Sequence, residues 1–106
     1  MPEETPQKVE PNPDALKLVI AGSYPQFTLW CRNHELNPND RNVRCVGSIE
    51  ALLGIDHQRL IEFWYVGQHW LWGGSSNHRA RAELYDRVNF MCKLNPENKQ
   101  YEEIRL

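Results

Sequence analysis

The stretch LKLVIAGSYPQFTLWC, residues 16–31, decides the fold. Its first half is a short, mostly apolar run that stops at Gly22, which is typical of a strand buried on both faces of a sheet. Ser23 and Gln26 follow at the spacing of a capping box, and Pro25 suits the first turn of a helix, where its missing N–H costs nothing. Aromatic and apolar residues then recur at three- and four-residue steps, as on one face of a helix. The stretch therefore predicts a strand, a glycine turn and a helix.

Two more strand candidates follow, and each also stops at a glycine: VRCVG at 43–47 and LIEFWYVG at 60–67. A short helix, IEALLG at 49–54, is predicted between them, with Ser48 as its cap. A longer helix over 78–94 follows the third strand. Strands that alternate with helices in this way indicate a parallel sheet with right-handed crossover connections.

The predicted fold is therefore α/β, with a small three-stranded parallel sheet in the order 2-1-3, flanked by helices and Rossmann/flavodoxin-like. The segment KQYEEIRL, 99–106, is either a fourth strand at the edge of the sheet or a frayed tail. Residues 15–106 form a single α/β domain. Residues 1–14 are acidic, with a net charge of −3, and contain four of the seven prolines, so we expect a disordered tail there.

Composition narrows the classes of function. A net charge of −2 argues against a protein that mainly grips nucleic-acid backbone. No apolar stretch is long enough to predict a membrane span, and the start of the chain does not resemble a secretory signal. The cysteines, Cys31, Cys45 and Cys92, are widely spaced without a C-x-x-C pair, which favours reduced thiols in a cytoplasmic protein and gives no metal site.

A candidate site lies where the carboxyl ends of the strands meet. In the order 2-1-3 the strand order reverses between the first and third strands, and open parallel sheets bind ligands at such a point. The residues brought together there are Gly22, Ser23 and Tyr24 on one loop and Gly67, Gln68 and His69 on the other. Helix starts at this edge offer backbone N–H groups to a phosphate or nucleotide. The alternative is that glycine ends the strand and serine caps the helix without any ligand.

The loop HWLWGGSSNHRAR, 69–81, is the second candidate. Its proposed contact residues are His69, Trp70, Trp72, Gly73, Gly74, Ser75, Ser76, His78 and Arg79. The two tryptophans stand beyond the end of the strand, where they could anchor a partner protein, pin the loop or, less favoured given the charge, stack on a base. Arg79 and Arg81 oppose the dipole of the helix that they begin, which a bound phosphate or carboxylate would offset. The alternative is that they pair with Glu83 or Asp86 or are solvated.

The chain carries no standard catalytic motif, and whether it is an enzyme stays open, with a non-catalytic role favoured. The leading hypothesis is an accessory protein that recognises a protein partner through Trp70, Trp72 and the glycine-serine loop. The alternative is a binding domain for a nucleotide or phosphate compound at the carboxyl edge, and no other cofactor is predicted. A homo-oligomer formed through the third strand edge or the loop is the third hypothesis.

The segments VIAGSYPQFTLWCRNHELNP, VRCVGSIEALLG and FWYVG resemble a set of short, uncharacterised α/β proteins encoded by bacteriophages, over roughly residues 16–67. This resemblance implies a phage-encoded protein in the host cytoplasm and carries no assigned activity or catalytic residues. A fainter similarity is to Rossmann-like nucleotide-binding domains whose first strand ends in Gly-Ser and which carry a later Gly-Gly phosphate loop. Gly73 and Gly74 follow a strand here, but the residues after them depart from that pattern.

Overall fold

A parallel sheet between two helices forms the body of the protein, as seen in a computed structural model that describes residues 9–56, 58–74 and 76–106. Those residues form four strands, two α-helices and two 3-10 turns. The strands are β1 (Leu16–Ala21), β2 (Val43–Cys45), β3 (Ile61–Val66) and β4 (Lys99–Glu103). The helices are α1 (Tyr24–Asn33) and α2 (His78–Leu94), and the 3-10 turns cover Ile49–Leu52 and His69–Leu71.

The strand order is β2-β1-β3-β4, and every neighbouring pair is parallel. The α/β class and the order of the first three strands are thus confirmed. The polar segment 99–103 is a fourth strand, which pairs with β3 from Glu62↔Lys99 to Val66↔Glu103. Because β4 covers the outer edge of β3, the hypothesis of self-association through the edge of the third strand is wrong. The open edge on that side belongs to β4.

The side chains of each strand alternate between the two faces of the sheet, and both faces are covered. Leu16, Leu18 and Phe63 pack with the first 3-10 turn and α2 in one core cluster. Val19 and Trp64 pack with α1 in the other. Phe63 and Trp64, which are neighbours in β3, therefore lie on opposite faces of the sheet.

The helix starts differ from the predicted caps. Neither Ser23 nor Ser48 makes a side-chain capping bond, and the predicted helix at 49–54 is a single 3-10 turn. The long helix α2 has the predicted bounds, and its cap is Asn77, whose Oδ1 accepts a hydrogen bond from the backbone N–H of Ala80 at 3.2 Å. Among the residues described, neither helix has the length and apolar character needed to cross a membrane.

Part of the predicted tail is attached to the domain. The backbone N–H of Asn12 donates to Glu62 Oε1 at 3.1 Å, and the Asn12 carbonyl accepts from Lys17 Nζ at 2.7 Å. The buried Lys17 ammonium also donates to the Ala15 carbonyl, and burial lowers the pKa of its amine. The predicted boundary at residue 15 therefore cuts through a bonded segment. Residues 1–8 of the predicted tail lie outside the described residues.

The thiols give a test of this packing. Burial raises the pKa of Cys31 from its ordinary value of about 9 to about 11, and burial also raises the pKa of Cys45 and Cys92. At pH 8 the thiolate fraction of Cys31 is then about 100-fold smaller than in the unfolded chain, since each pKa unit changes it about tenfold. We expect Cys31 to be inert to a disulfide reagent in the native protein at pH 8, and all the cysteines to react in urea. Peptide mapping after alkylation measures each site, and rapid native labelling of Cys31 would contradict the packing.

Candidate functional site

The loops after β1 and β3 face each other at the carboxyl edge of the sheet, and the Gln26 side chain fills the crevice between them. Gln26 Oε1 accepts a hydrogen bond from the backbone N–H of Gln68 at 2.8 Å, and Gln26 Nε2 donates to Gln68 Oε1 at 3.2 Å. Gln26 therefore does not complete a capping box with Ser23. It links the loop after β1 to the loop after β3.

The two glycines of this crevice are required by close approach of the loops. A Cβ on Gly22 would stand 2.3 Å from the Gln68 carbonyl oxygen, and a Cβ on Gly67 would stand 2.4 Å from Gln26 Oε1. Gly67 also has a φ of +57°, which side-chain-bearing residues rarely adopt. The glycine endings of the two strands are thus explained by packing between loops, without a bound phosphate.

Trp72 is part of the core. Its side chain is buried against the cluster on the α2 face, and its indole Nε1 donates to the Val46 carbonyl at 2.6 Å. The prediction that Trp72 offers a contact surface to a partner is therefore wrong, and of the three roles considered for it, pinning the loop is the one that its contacts support. Trp70, by contrast, is 45% exposed.

The arginines at the start of α2 also differ in role. Arg81 is buried, and its guanidinium donates to the carbonyl oxygens of Trp72 and Gly74 and contacts His78 Nδ1 at 3.0 Å. Arg81 thus holds the glycine loop against α2. The Arg79 side chain is almost fully exposed, and its Nε lies 3.8 Å from Glu83 Oε1. This agrees with the alternative in which the arginine is solvated or pairs with Glu83. Of the other predicted contacts, Gly73, Gly74, Ser76 and His78 are exposed, and Ser75 lies outside the described residues.

The 3-10 turn His69–Leu71 carries the exposed Trp70 indole, which makes an edge contact with the His69 ring. His69 Nε2 donates to the Glu102 carboxylate of β4, with 2.7 Å between His69 Nε2 and Glu102 Oε2. The His69 ring lies between two aromatic rings, with centroid distances of 5.5 Å to Tyr65 and 5.4 Å to Trp70. The Trp70 side chain is thereby supported from within the domain while almost half of it faces solvent.

A pocket of about 370 Å³ opens next to this turn, between the open edge strand β4 and α2. Its lining residues are Tyr65, His69, Tyr85, Asn89, Gln100, Tyr101 and Glu102. The Tyr65 hydroxyl donates to Gln100 Oε1 at 3.0 Å, and Gln100 Nε2 donates to Asn89 Oδ1 at 3.3 Å. Burial raises the pKa of Tyr65 well above its usual range, so its phenol stays protonated at neutral pH.

Of the predicted site residues, this pocket includes His69 alone, with Trp70 beside it. Sequence reasoning missed Tyr85, Gln100 and Glu102. The available signal was the segment 99–103: as a parallel strand beside β3, it would have placed Gln100 and Glu102 on the same face as Tyr65 and α2.

The arrangement suits binding by hydrogen bonds and aromatic contact. The described parts of the chain contain no group of three or more histidine, cysteine or acidic side chains placed to hold a metal ion. In comparisons with protein-family models, curated proteins and solved structures, the chain has no match.

The close approach at the crevice predicts a contrast between two glycines. We expect Gly22→Ala to lower the free energy of unfolding by about 1–3 kcal/mol, because the new methyl group meets a backbone oxygen. Gly47→Ala is the matched control, because nothing lies within 4 Å of its Cβ position, and its effect should stay within about 0.5 kcal/mol apart from the small entropic gain of replacing a glycine. Urea unfolding of both variants measures the difference, and equal effects would contradict the close approach.

Proposed function

We propose that this chain is a small, non-catalytic binding protein that recognises a protein partner through the Trp70 surface, which we define as the exposed Trp70 indole with the adjoining pocket. The single observation that carries the proposal is the combination of exposure and support at Trp70. The indole is 45% exposed, yet its neighbour His69 is fixed by Glu102 and by ring contacts.

A pre-positioned aromatic side chain of this kind favours binding. Tryptophan is among the residues that contribute most to protein interfaces, especially where it stands beside a pocket. An indole that already packs against the anchored His69 ring loses less conformational freedom when a partner covers it than an unsupported one. Trp70 thus supplies contact area at low entropic cost.

The nucleotide or phosphate alternative has less support from the contacts. Gln26 occupies the space between the loops that a phosphate would need, and its amide already bonds with Gln68. Arg79, the cation chosen for that site, is solvated beside Glu83. We therefore propose protein recognition and not nucleotide binding.

Other features belong to the same proposal. The parallel sheet with reversal of strand order between β1 and β3 supports a Rossmann/flavodoxin-like assignment. A phage origin and a cytoplasmic location follow from the resemblance of residues 16–67 and from the spacing of the cysteines, and they stay predictions. The partner can also be a second copy of the chain that uses the Trp70 surface.

Affinity capture with matched variants tests the proposed function. A partner is captured from an extract of the native host with the wild-type protein. We expect Trp70→Ala to weaken the free energy of binding to that partner by about 2 kcal/mol, the effect of losing a central aromatic contact. Leu53→Ala is the control, because Leu53 is 51% exposed but follows the 3-10 turn after β2, at the other edge of the sheet from β4.

The captured protein is identified by mass spectrometry, and its affinity for the purified variants is measured by calorimetry. Sedimentation at several concentrations shows whether the partner is a second copy of the chain. Equal affinity of the wild-type protein and the Trp70→Ala variant for every captured protein, together with unchanged self-association, would contradict the proposal.

A further inference from the structure

The pocket between β4 and α2 has an acidic side chain in its lining. Its lining contains one carboxylate, Glu102, and no lysine or arginine. Glu102 Oε2 contacts His69, while Oε1 accepts no hydrogen bond from the residues that the structure describes. The Glu102 side chain is 57% exposed, so a ligand can reach it from solvent. Glu102 therefore favours a cationic ligand over an anionic one in this pocket.

The walls of the pocket are aromatic. The Tyr65 and Tyr85 rings lie 5.8 Å apart between centroids, and the His69 ring stands 5.5 Å from Tyr65. The negative face of a phenol ring attracts a cation at short range. Rings and a carboxylate in one concavity are thus the combination that recognises a guanidinium or ammonium group.

Several polar atoms of the pocket can accept a hydrogen bond. Besides Glu102 Oε1, these are Asn89 Oδ1 and the Tyr65 hydroxyl oxygen, while the Gln100 Nε2 amide already donates to Asn89 Oδ1 and to Cys92 Sγ. A guanidinium brings five N–H donors and no acceptor, and an ammonium brings three. The donor inventory of a basic side chain therefore matches the pocket.

The size and position of the pocket indicate that this cation belongs to an extended protein segment. A volume of about 370 Å³ is at the small end of the range of about 300–1,000 Å³ for ligand sites, so it fits one side chain. The pocket lies along β4, which has no strand on its outer side in the described sheet. The Glu103 carbonyl bonds to the Gly67 N–H of the loop after β3, and successive peptide groups of a strand point in opposite directions, so the Glu102 carbonyl points to the open edge.

We propose that the pocket binds an arginine or lysine side chain of a partner protein whose extended backbone lies along β4. The backbone pairs with the open edge of the strand, and one basic side chain lies against the Tyr65 and Tyr85 rings to reach Glu102. The identity of the partner as a protein rests on the proposed function, whereas the preference of the pocket for a cation rests on its own lining.

Nuclear magnetic resonance titration of the full chain tests the preference for a cation. The probe is N-acetyl-arginine amide, and its control is N-acetyl-citrulline amide, which has nearly the same shape without the charge. We expect the arginine derivative to cause saturable shifts at Tyr65, His69 and Tyr85, and the citrulline derivative and inorganic phosphate to cause none at the same concentration. Shifts of equal size with citrulline, preferential binding of phosphate, or no saturable shift with arginine would overturn the proposal.

Two variants that each replace a glutamate with glutamine locate the binding site. Glu102→Gln keeps a hydrogen-bond acceptor for His69. It should weaken the binding of the arginine derivative about fivefold, which is the upper end of the effect of a partly exposed ion pair. Glu97→Gln is the control, because Glu97 is exposed and does not line the pocket, and it should leave the affinity unchanged. Equal affinity in both variants would overturn the role of Glu102.

A pentapeptide with a central arginine between threonines tests the extended backbone. We expect it to bind at least tenfold more tightly than the single amide and to shift the amide signals of Gln100 and Glu102, because its backbone pairs with β4. Equal affinity of the peptide and the amide would overturn the assignment to a protein segment.

If the Trp70→Ala variant loses its partner while the arginine probe fails to bind, the cation pocket is wrong and the proposed function stands. If the probe binds while Trp70→Ala keeps every partner, the reverse holds.

Discussion

The hydrogen bond from the backbone N–H of Gln68 to the Gln26 side chain holds together the loops at the carboxyl edge of the sheet. It forms because Gly22 and Gly67 carry no Cβ that would collide with the opposite loop. Gln68 is also the residue that precedes the 3-10 turn with Trp70. The contact that fills the crevice between β1 and β3 therefore also fixes where the exposed indole and the neighbouring pocket begin. The contact between Gln26 and Gln68 thus fills the crevice and positions the Trp70 surface.

The face of the sheet under α1 is organised by buried polar groups. Lys17 and Glu62 lie within the strands, and each bonds to the segment before β1 through Asn12. The buried His34 of that face contacts Glu103 of β4 at 2.8 Å between Nε2 and Oε1. Buried charges destabilise a fold unless they are hydrogen-bonded, so these partners are required and not incidental. The network thereby specifies which segments cover the face.

Periodicity and glycine positions were sufficient to predict the α/β class, the parallel pairing and the order of the first three strands, because each depends on short-range patterns. The site was harder to predict, because its contacts join distant residues. The spacing of Gln26 from Ser23 fits a capping box, and nothing local reveals that its partner Gln68 is 42 residues away. The burial of Trp72 likewise depends on the carbonyl of Val46. The polar β4 has no alternation of apolar residues. Its sequence therefore did not distinguish a fourth strand from a frayed tail, and the pocket beside it could not be predicted.

The all-parallel sheet also has a consequence for how fast this chain folds. No strand of the described sheet pairs with an antiparallel neighbour through a tight hairpin, so each pairing requires closure of a long loop. The contact between His34 and Glu103 joins residues 69 positions apart. Loop entropy is lost before such contacts stabilise the chain, and sheets of this kind fold slowly for their size. The order of events is therefore set by topology: β1 and β3 can associate before β4 docks, and until then the edge of β3 is exposed to other chains.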